Sequence, residues 1–325
     1  MEPYRTAFDH AQEVLRGKGH RLVLGPGCYA AEGIGISRAP ALCGQEINEL
    51  YTAEDSDVLI SCGGGEMMCE ILDYVDFDAL CAAEPKWFMG FSDNTNLTFL
   101  LPTLCDTASI YGPCAGAFGM EPWHPAVQDA YDLLRGKHLT VHNYPAWERE
   151  GDKSEENPLA PYRCTEPVRI KVFRPETTST TCFSGRLIGG CLDCLVNLAG
   201  TVYDRVADFN ARYADDGIVW FLESCDLNVF AIRRAVWELK HAGWFDHAKG
   251  FLIGRPLCFG QEMMGLDQYR AVTDILQDLN VPVIMDVDLG HLPPMMPLIC
   301  GSIADVTCAP VDGNTYDLEI AMSLQ

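Results

Sequence analysis

Residues 86–94 read KWFMGFSDN, an apolar run that ends in a Gly-aromatic-Ser-Asp turn. A helical pattern begins directly behind this turn, at residues 94–104. Strand, sharp turn and helix in this order are typical of a nucleophile elbow, in which the turn lifts a serine hydroxyl out of the sheet. Backbone N–H groups at the start of the helix can then stabilise an oxyanion. The stretch therefore predicts a hydrolytic α/β protein with Ser92 as its nucleophile.

Plainer interpretations of this turn and of a second one stay open. Asn94 stands where the elbow motif has its second glycine, although asparagine tolerates positive φ better than most residues. Ser92 or Asp93 could simply cap the helix. The strand pattern of residues 57–61 also runs into a glycine turn, at residues 63–65. That turn is either a backbone cradle for an oxyanion or phosphate or an ordinary βα turn.

Strand and helix patterns alternate along most of the chain. The predicted strands are residues 21–24, 57–61, 86–89, 109–111, 218–222, 250–253, 281–287 and 316–321. The predicted helices are residues 5–18, 67–72, 94–104, 125–134, 229–241 and 268–279. This alternation predicts an α/β fold with a mostly parallel sheet covered by helices on both faces. Residues 144–163 break the rhythm with prolines and acidic residues, which indicates an exposed linker or lid.

A candidate general base follows the predicted strand 281–287. His291 lies in the stretch DLGHLPPMMP, residues 288–297, whose glycine and prolines predict a stiff loop. Ligand sites of open α/β sheets collect at the carboxyl ends of strands, where this loop begins. An imidazole can take the proton of a serine hydroxyl at neutral pH. His291 is therefore the predicted general base.

The carboxylate that would orient this histidine is predicted at another strand end. Glu223 follows the apolar run 219–222, and a charge buried there is costly unless it is paired. The order Ser…Glu…His matches that of α/β hydrolases, although triads with other orders exist. Asp226, Asp286 and Asp288 are competing carboxylates, and Glu223 could instead serve a structural ion pair or a helix cap.

Composition excludes several classes of protein. The 325 residues suffice for two ordinary domains, and 48% hydrophobic with 21% charged residues is typical of a globular chain. The formal charge of −23 argues against nucleic-acid binding, which needs a basic surface. The chain has no basic region followed by an apolar run at its start and no apolar stretch long enough for a membrane span. We therefore expect a cytoplasmic protein with no membrane partner.

The 15 cysteines are scattered along the chain. In a reducing compartment, cysteines behave mostly as small buried apolar residues. Cys191 and Cys194 have CxxC spacing, but a zinc site would need a second pair or histidines nearby. We therefore expect core thiols, no metal and no cofactor.

Together these residues resemble the LD-carboxypeptidase family of serine peptidases, which includes the microcin C immunity proteins. The resemblance covers most of the chain, and its motifs occur in the family's order. They are GFSD at residues 90–93, the glycines 63–65, GRLIGGCL at residues 185–192 continuing to LAGT at 198–201, the strand ending in Glu223, and Gly290-His291 followed by prolines.

The resemblance implies two domains with the active site at their interface. The N-terminal domain, residues 1–145, would hold a flavodoxin-like parallel sheet and the nucleophile. Residues 146–180 would form a linker or lid. The C-terminal domain, residues 181–325, would be an α/β domain of the swivelling type that carries the glutamate and histidine of the triad. The family's first strand has no counterpart before the helix 5–18, which implies a thinner sheet.

The resemblance also implies an activity. It implies a cofactor-free serine hydrolase that forms a homodimer. Family members cleave the amide between an L-centre and a D-residue. They typically release D-Ala from a murein tetrapeptide, and the catalytic triad would be Ser92, Glu223 and His291. Backbone amides near Gly64 and at Asp93 would stabilise the oxyanion. The expected partner is a muropeptide substrate in peptidoglycan recycling.

Other substrates stay open. The microcin-immunity branch hydrolyses peptidyl or aminoacyl-sulfamoyl adenylates, and residues 147–163 resemble the insertion of that branch. Trp147 and Arg163 are candidates there for binding a nucleotide. Arg186 and Arg233 are candidates for gripping the carboxylate of a D-residue. A third possibility is a degenerate, non-catalytic member that still binds peptides. Residues 294–296 read PMM where the family often has an asparagine.

Overall fold

The computed structural model of the chain describes residues 4–137, 139–173, 179–312 and 315–324. The predicted α/β class is confirmed, because the described residues form two principal sheets with helices packed around them. The helices are Tyr4–Gly17, Pro40–Thr52, Phe77–Ala82, Thr95–Thr98, Leu100–Cys105, Pro125–Leu134, Leu192–Leu198, Val206–Arg212, Val229–His241 and Gln268–Leu276. Short 3₁₀ helices cover Met68–Tyr74, Ser92–Asn94, Ala115–Gly119 and Gln277–Leu279. No helix in the described ranges is long and apolar enough to cross a membrane.

The smaller sheet carries the nucleophile turn. Its strands, in spatial order, are Val58–Ile60, Trp87–Gly90, Ser109–Tyr111 and Leu298–Cys300. The first three run parallel, and the last, from the end of the chain, is antiparallel to its neighbour. Because parallel strands end at the same edge of a sheet, the turns after Ile60, Gly90 and Tyr111 lie side by side.

The larger sheet carries the other two candidate residues. Its strands, in spatial order, are Thr140–His142, Thr315–Ser323, Ile303–Asp312, Thr181–Cys191, Ile218–Glu223, Ala248–Gly254, Val283–Val287 and Lys171–Phe173. The four strands from Thr181–Cys191 to Val283–Val287 are parallel, and the outer ones are antiparallel. Two two-stranded ribbons pair Ala146–Trp147 with Glu166–Pro167 and Glu262–Met263 with Leu266–Asp267.

The central strand of the larger sheet shows why the sequence folds this way. Each residue of Ile218–Glu223 is buried, as expected for a parallel strand covered on both faces. The helix Val229–His241 follows it and begins at Asn228, whose side chain accepts a hydrogen bond from the N–H of Ala231. Its predicted apolar face is confirmed, since Ile232, Val236 and Leu239 join the same core as the strand.

One predicted strand is wrong. Residues 21–24 have an extended but unpaired backbone, and Val23 and Leu24 are exposed. An apolar run becomes a strand only where a neighbouring strand supplies hydrogen bonds. In the described part of the chain, no strand lies beside these residues. The strand Val58–Ile60, at the edge of the smaller sheet, is only partly covered.

The prediction of an exposed linker or lid at residues 144–163 is also partly wrong. Most of the segment lacks regular structure, as predicted, but Tyr144, Trp147, Glu148 and Ala160 are buried. The N–H of Glu148 donates to the carbonyl of Pro293, 2.6 Å away. The segment is therefore packed against the loop that carries His291.

The cysteines follow the prediction of core thiols only in part, since Cys182 is exposed and other free cysteines are half-buried. Cys191 and Cys194 are buried free thiols, as expected. Cys81 and Cys105 instead form a disulfide, so the expectation of free thiols is wrong for this pair. Among the described residues, no group of His, Cys, Asp and Glu side chains could hold a metal ion.

Candidate active site

The nucleophile turn has the geometry of an elbow. The strand Trp87–Gly90 ends two residues before Ser92, and the helix Thr95–Thr98 begins three residues after it. Ser92 has φ of 62°, in the left-handed region that a residue with a side chain rarely adopts. Such strain persists only where the surroundings enforce it, and it is typical of functional sites. The interpretation of Ser92 as a mere helix cap is not supported, because its side chain caps neither short helix.

Asn94 takes the place of the motif's second glycine by tying the turn together. Its Nδ2 donates to the carbonyls of Gly63 and Phe91, each 3.0 Å away. A Cβ at Gly90 would lie 2.7 Å from the Cγ of Asn94, which explains why this position is glycine. Asn94 itself does not need positive φ, since its φ is −63°. Asn94 therefore links the nucleophile turn to the glycine turn at residues 63–65.

His291 connects the nucleophile to a carboxylate. Its Nε2 lies 2.9 Å from the Oγ of Ser92, and its Nδ1 lies 2.9 Å from the Oε2 of Glu223. The imidazole also packs on the ring of Phe91, with the ring centroids 5.2 Å apart. With Nδ1–H donating to the carboxylate, Nε2 is the nitrogen left to accept the serine proton. The structure thus brings together the three residues predicted as a triad.

The carboxylate beside the histidine is Glu223 and none of its three competitors. Glu223 is 2% exposed at the end of its strand. Asp288 forms an ion pair with a buried arginine, and Asp286 accepts from a tyrosine and a glutamine. Asp226 is exposed to solvent. A buried carboxylate needs a charged or hydrogen-bonding partner. Of the four candidates, Glu223 is the one whose partner is His291.

Tyr111 is a residue of the site that the sequence did not reveal. Its hydroxyl donates to the Oε1 of Glu223 and accepts the N–H of Ser92, 3.2 Å away. Burial and the nearby Glu223 carboxylate raise the pKa of Tyr111 well above its ordinary value, so the hydroxyl keeps the proton that it donates. Tyr111 ends the strand next to Trp87–Gly90, and that shared sheet edge is the signal that could have identified it.

The electrostatics of the histidine favour its charged form. Burial by itself lowers the pKa of His291, but the Glu223 carboxylate and the Cys225 side chain outweigh burial and raise the pKa above its ordinary value of 6.5. Since a base must be unprotonated to act, activity should rise as the pH increases through this raised pKa. The carboxylate therefore stabilises the imidazolium that forms when Ser92 loses its proton.

Glu223→Gln is expected to shift the pH profile. Removing the charge lowers the pKa of His291, so the acid limb of kcat/KM should move to lower pH while the maximum falls. The measurement is kcat/KM from about pH 5 to about pH 12, a range that includes the raised His291 pKa of about 11. Asp208→Asn, which removes an exposed carboxylate outside the site, serves as the control and should leave the limb in place. If the acid limb of kcat/KM does not move in Glu223→Gln, Glu223 is excluded as the group that raises the pKa of His291.

Gly290 sets the space in which Glu223 and His291 meet. It has φ of 97°, and a Cβ there would lie 2.5 Å from the Oε2 of Glu223. Gly290→Ala should therefore displace the carboxylate and lower kcat by about 100-fold, the order of loss that a displacement near 1 Å can cause. Gly265→Ala is the matched control, because Gly265 has φ of 76° and open space around it. If Gly290→Ala keeps the kcat of Gly265→Ala, a Cβ at position 290 does not displace the Glu223 carboxylate, which contradicts this account.

The residues predicted to line an oxyanion site lie next to the nucleophile. A Cβ on Gly64 would be 3.6 Å from the Oγ of Ser92, so the second glycine turn approaches the hydroxyl closely. The Asp93 side chain points elsewhere, accepting the N–H of Met68 at 2.9 Å and the Nδ2 of Asn96 at 3.2 Å. Burial raises the pKa of Asp93 to about 6. Asp93 thus anchors the nucleophile turn through its carboxylate. The predicted oxyanion donor is a different group, the backbone N–H of Asp93.

A buried ion pair holds the histidine loop. Arg255 and Asp288 are 1% and 0% exposed and form a salt bridge. The other Asp288 oxygen accepts the N–H of Tyr144 at 2.7 Å, and Arg255 donates to the carbonyl of Asp286 at 2.8 Å. The Arg255 guanidinium also lies over the ring of Trp147, 5.2 Å from its centroid. These contacts join the start of the histidine loop to the segment predicted as a lid.

A cavity of about 140 Å³ opens beside Ser92. Its wall combines the two turns of the smaller sheet with the ends of strands in the larger sheet. The lining residues are Gly65, Glu66, Cys69, Ser92, Asp93, Asn96, Cys191, Asp193, Cys194, Asn197, Cys225 and Asp226. The site therefore lies between the parts of the chain that carry the two sheets, as the sequence predicted.

The four side chains suggested for substrate binding have other contacts. Trp147 is 4% exposed and packs on Phe259, and Arg163 pairs with an aspartate at 2.9 Å. Arg186 and Arg233 are likewise held in ion pairs with Asp216 and Asp274. None of the four lines the cavity beside Ser92. The structure gives no support to these side chains as binding residues.

An α/β fold with a serine, an imidazole and a buried carboxylate in hydrogen-bonded series defines the class of serine hydrolases. The model of the LD-carboxypeptidase N-terminal domain matches residues 1–112, and that of the LD-carboxypeptidase C-terminal domain matches residues 184–306. The chain belongs to the LD-carboxypeptidase family.

Two named relatives span most of the chain. The microcin C7 self-immunity protein MccF of Escherichia coli is 26% identical over 309 residues, covering 91% of this chain and 84% of MccF. A Vibrio cholerae protein with the provisional name of a carboxypeptidase is 23% identical over 333 residues, covering 96% of this chain and 89% of that protein.

Solved structures share the fold. MccF in complex with glutamyl sulfamoyl guanosine superimposes with a TM-score of 0.77 at 22% identity, covering 99% of this chain and 92% of that one. An MccF-like protein from Bacillus anthracis gives a TM-score of 0.77 at 20% identity, covering 98% and 92%. At these identities the likeness supports the two-sheet architecture alone.

Proposed function

We propose that the chain hydrolyses an amide bond with Ser92 as nucleophile, His291 as general base and Glu223 as the carboxylate that orients the imidazole. The observation that carries this proposal is the continuous series from Ser92 Oγ through both ring nitrogens to Glu223, with 2.9 Å at each step. Membership of the LD-carboxypeptidase family supports the same class of reaction.

The proposed reaction has two halves. His291 Nε2 takes the proton of Ser92 while Oγ attacks the amide carbonyl, and the imidazolium then gives that proton to the leaving amine. An ester between Ser92 and the acyl part remains. A water molecule, deprotonated by His291, attacks this ester, and the proton returns to Oγ as the acid leaves. Glu223 stabilises the imidazolium in both halves, and Tyr111 holds Glu223 in place.

The oxyanion would be stabilised by main-chain amides. Asp93 follows the nucleophile, so its N–H is at the position that an elbow uses for this purpose. A Cβ added to Gly64 would touch Ser92, and this close approach of the glycine turn supports the Gly64 amide as the second donor. The Tyr111 hydroxyl already accepts the N–H of Ser92 itself, which leaves that amide engaged.

As substrate we propose a peptide with an L,D-amide bond, cleaved with release of D-Ala from a murein tetrapeptide. The family's description and the Vibrio cholerae relative support a carboxypeptidase. We further propose that the enzyme acts as a cytoplasmic homodimer on muropeptides, with the division at residues 1–145, 146–180 and 181–325.

A second candidate substrate is a peptidyl or aminoacyl-sulfamoyl adenylate. The similarity to MccF over 91% of the chain favours it, and the MccF structure holds a glutamyl sulfamoyl guanosine. In this chain, however, the buried Trp147 has no free face for a base, because Phe259 and Arg255 pack on it. Any nucleotide would need a different aromatic partner.

Incubating the purified chain separately with a murein tetrapeptide and with an aminoacyl-sulfamoyl adenylate distinguishes the two. We expect D-Ala from the tetrapeptide, measured by chromatography against authentic D-Ala. Hydrolysis of the adenylate alone would move the chain to the second candidate. Hydrolysis of neither would contradict the proposed reaction and favour a non-catalytic peptide-binding protein.

A further inference from the structure

The cavity beside Ser92 is lined by anions without cations. Four of its lining residues carry carboxylates, namely Glu66, Asp93, Asp193 and Asp226, and none is lysine or arginine. None of the four takes part in an ion pair between described residues. Carboxylates gathered near a reacting centre repel an anionic substrate group and attract a cation.

Two of these carboxylates are committed to the protein itself. Asp193 accepts the N–H groups of Cys225 and Asp226, at 3.0 and 2.8 Å. Asp93 accepts from Met68 and Asn96, as described above. These uncharged N–H donors hold both carboxylates in place in the cavity wall. Their fields therefore add to the potential of the cavity without a compensating positive charge.

The other two carboxylates are free to meet a ligand. Glu66 follows the glycine turn beside Ser92, and Asp226 lines the same cavity, three residues after Glu223. Both residues are exposed. A ligand in the cavity can therefore reach both of them.

Asn96 supplies an independent sign of a missing donor. It lines the cavity and is 1% exposed, and its Nδ2 is used by Asp93. Its Oδ1 has no hydrogen-bond partner within the described chain. A buried acceptor without a donor is costly, and such groups are often satisfied only when a ligand binds.

We propose that this cavity binds a cationic amine of the substrate, with Glu66 and Asp226 as the specificity-determining carboxylates and Asn96 Oδ1 as a further acceptor. The inference rests on the proposed function, since it places the amine close to the carbonyl that Ser92 attacks. An ammonium group offers three N–H donors and no acceptor, which matches a wall of acceptors. A free carboxylate would be repelled from this cavity, so the carboxylate of the leaving D-Ala would lie outside it.

The test compares binding of a murein tetrapeptide, with its free primary amines, and of the same peptide with each amine acetylated. Ser92→Ala is used as the background, so that calorimetry measures binding without turnover. We expect the free peptide to bind about ten-fold more tightly, the order that a charge-assisted hydrogen bond contributes. Adding Glu66→Gln and Asp226→Asn should abolish the difference, whereas adding Asp208→Asn, an exposed carboxylate outside the cavity, should leave it unchanged.

The inference is overturned if the acetylated peptide binds as tightly as the free one, or if the preference survives in the variant that lacks both carboxylates. Failure of the free peptide to bind would overturn it as well. A failure of the proposed function shows differently. The parent chain would then leave the tetrapeptide intact, while the Ser92→Ala background still prefers the free amine.

Discussion

Ser92→Ala is expected to lower kcat for amide hydrolysis by about 10⁴-fold or more, because it removes the atom that forms the acyl bond. His291 and Glu223 would remain in place but would have no hydroxyl to activate. The variant should fold normally, because the substitution removes no contact that holds the turn. The hydrogen bond from Asn94 to the carbonyl of Gly63 remains. The left-handed φ of 62° at this position is retained by the same contacts.

The matched control is Ser184→Ala, which removes an exposed serine hydroxyl from the larger sheet. It should leave kcat unchanged. Circular dichroism and the urea midpoint of both variants check that the folds are equivalent. A Ser92→Ala variant that keeps more than a small fraction of the parent's kcat would exclude Ser92 as the nucleophile.

Asp288→Asn is expected to lower the free energy of unfolding by about 3–5 kcal/mol, the cost of leaving one member of a buried ion pair without its counter-charge. Arg255 is 1% exposed, and between described residues its one ion pair is with Asp288. An asparagine amide would also confront the N–H of Tyr144, which now donates to the carboxylate at 2.7 Å. Urea denaturation measures the change.

The control for this variant is Asp152→Asn, which breaks the half-exposed pair with Arg163. Exposed pairs contribute less than about 1 kcal/mol, so the control should unfold close to the parent. Equal losses in the two variants would contradict the account of Arg255 and Asp288 as the anchor of the histidine loop. Because that loop carries His291, Asp288→Asn should also lower kcat at temperatures where it remains folded.

The sequence predicted the triad because each member ends an apolar strand or follows one. Local patterns made Ser92, Glu223 and His291 candidates, since strand, turn and helix are encoded within a few residues. They left competing carboxylates open, and the family resemblance selected the set of three. Tyr111 could not, because its role arises from two strands that are neighbours in space. Nothing in its own surroundings distinguishes it from a core tyrosine.

The errors have the same origin. Residues 21–24 have the apolar composition of a strand, but a strand also needs a neighbouring strand to pair with. The sequence of these four residues does not show whether such a neighbour exists. Trp147 was predicted on an exposed lid because its neighbours are polar. It is buried because Phe259 and Arg255, more than 100 residues away in the chain, pack against it. The acidic cavity likewise combines residues from separate turns that only the fold brings together.

The most direct test of the central claim is partition of the acyl group between water and hydroxylamine. Two amide substrates with the same acyl part and different leaving amines are hydrolysed by the parent chain in the presence of hydroxylamine. If Ser92 forms an ester, both substrates pass through the same intermediate, and the ratio of hydroxamate to acid is identical for the two. A ratio that changes with the leaving amine would show that no common Ser92 ester forms, and it would contradict the proposed mechanism.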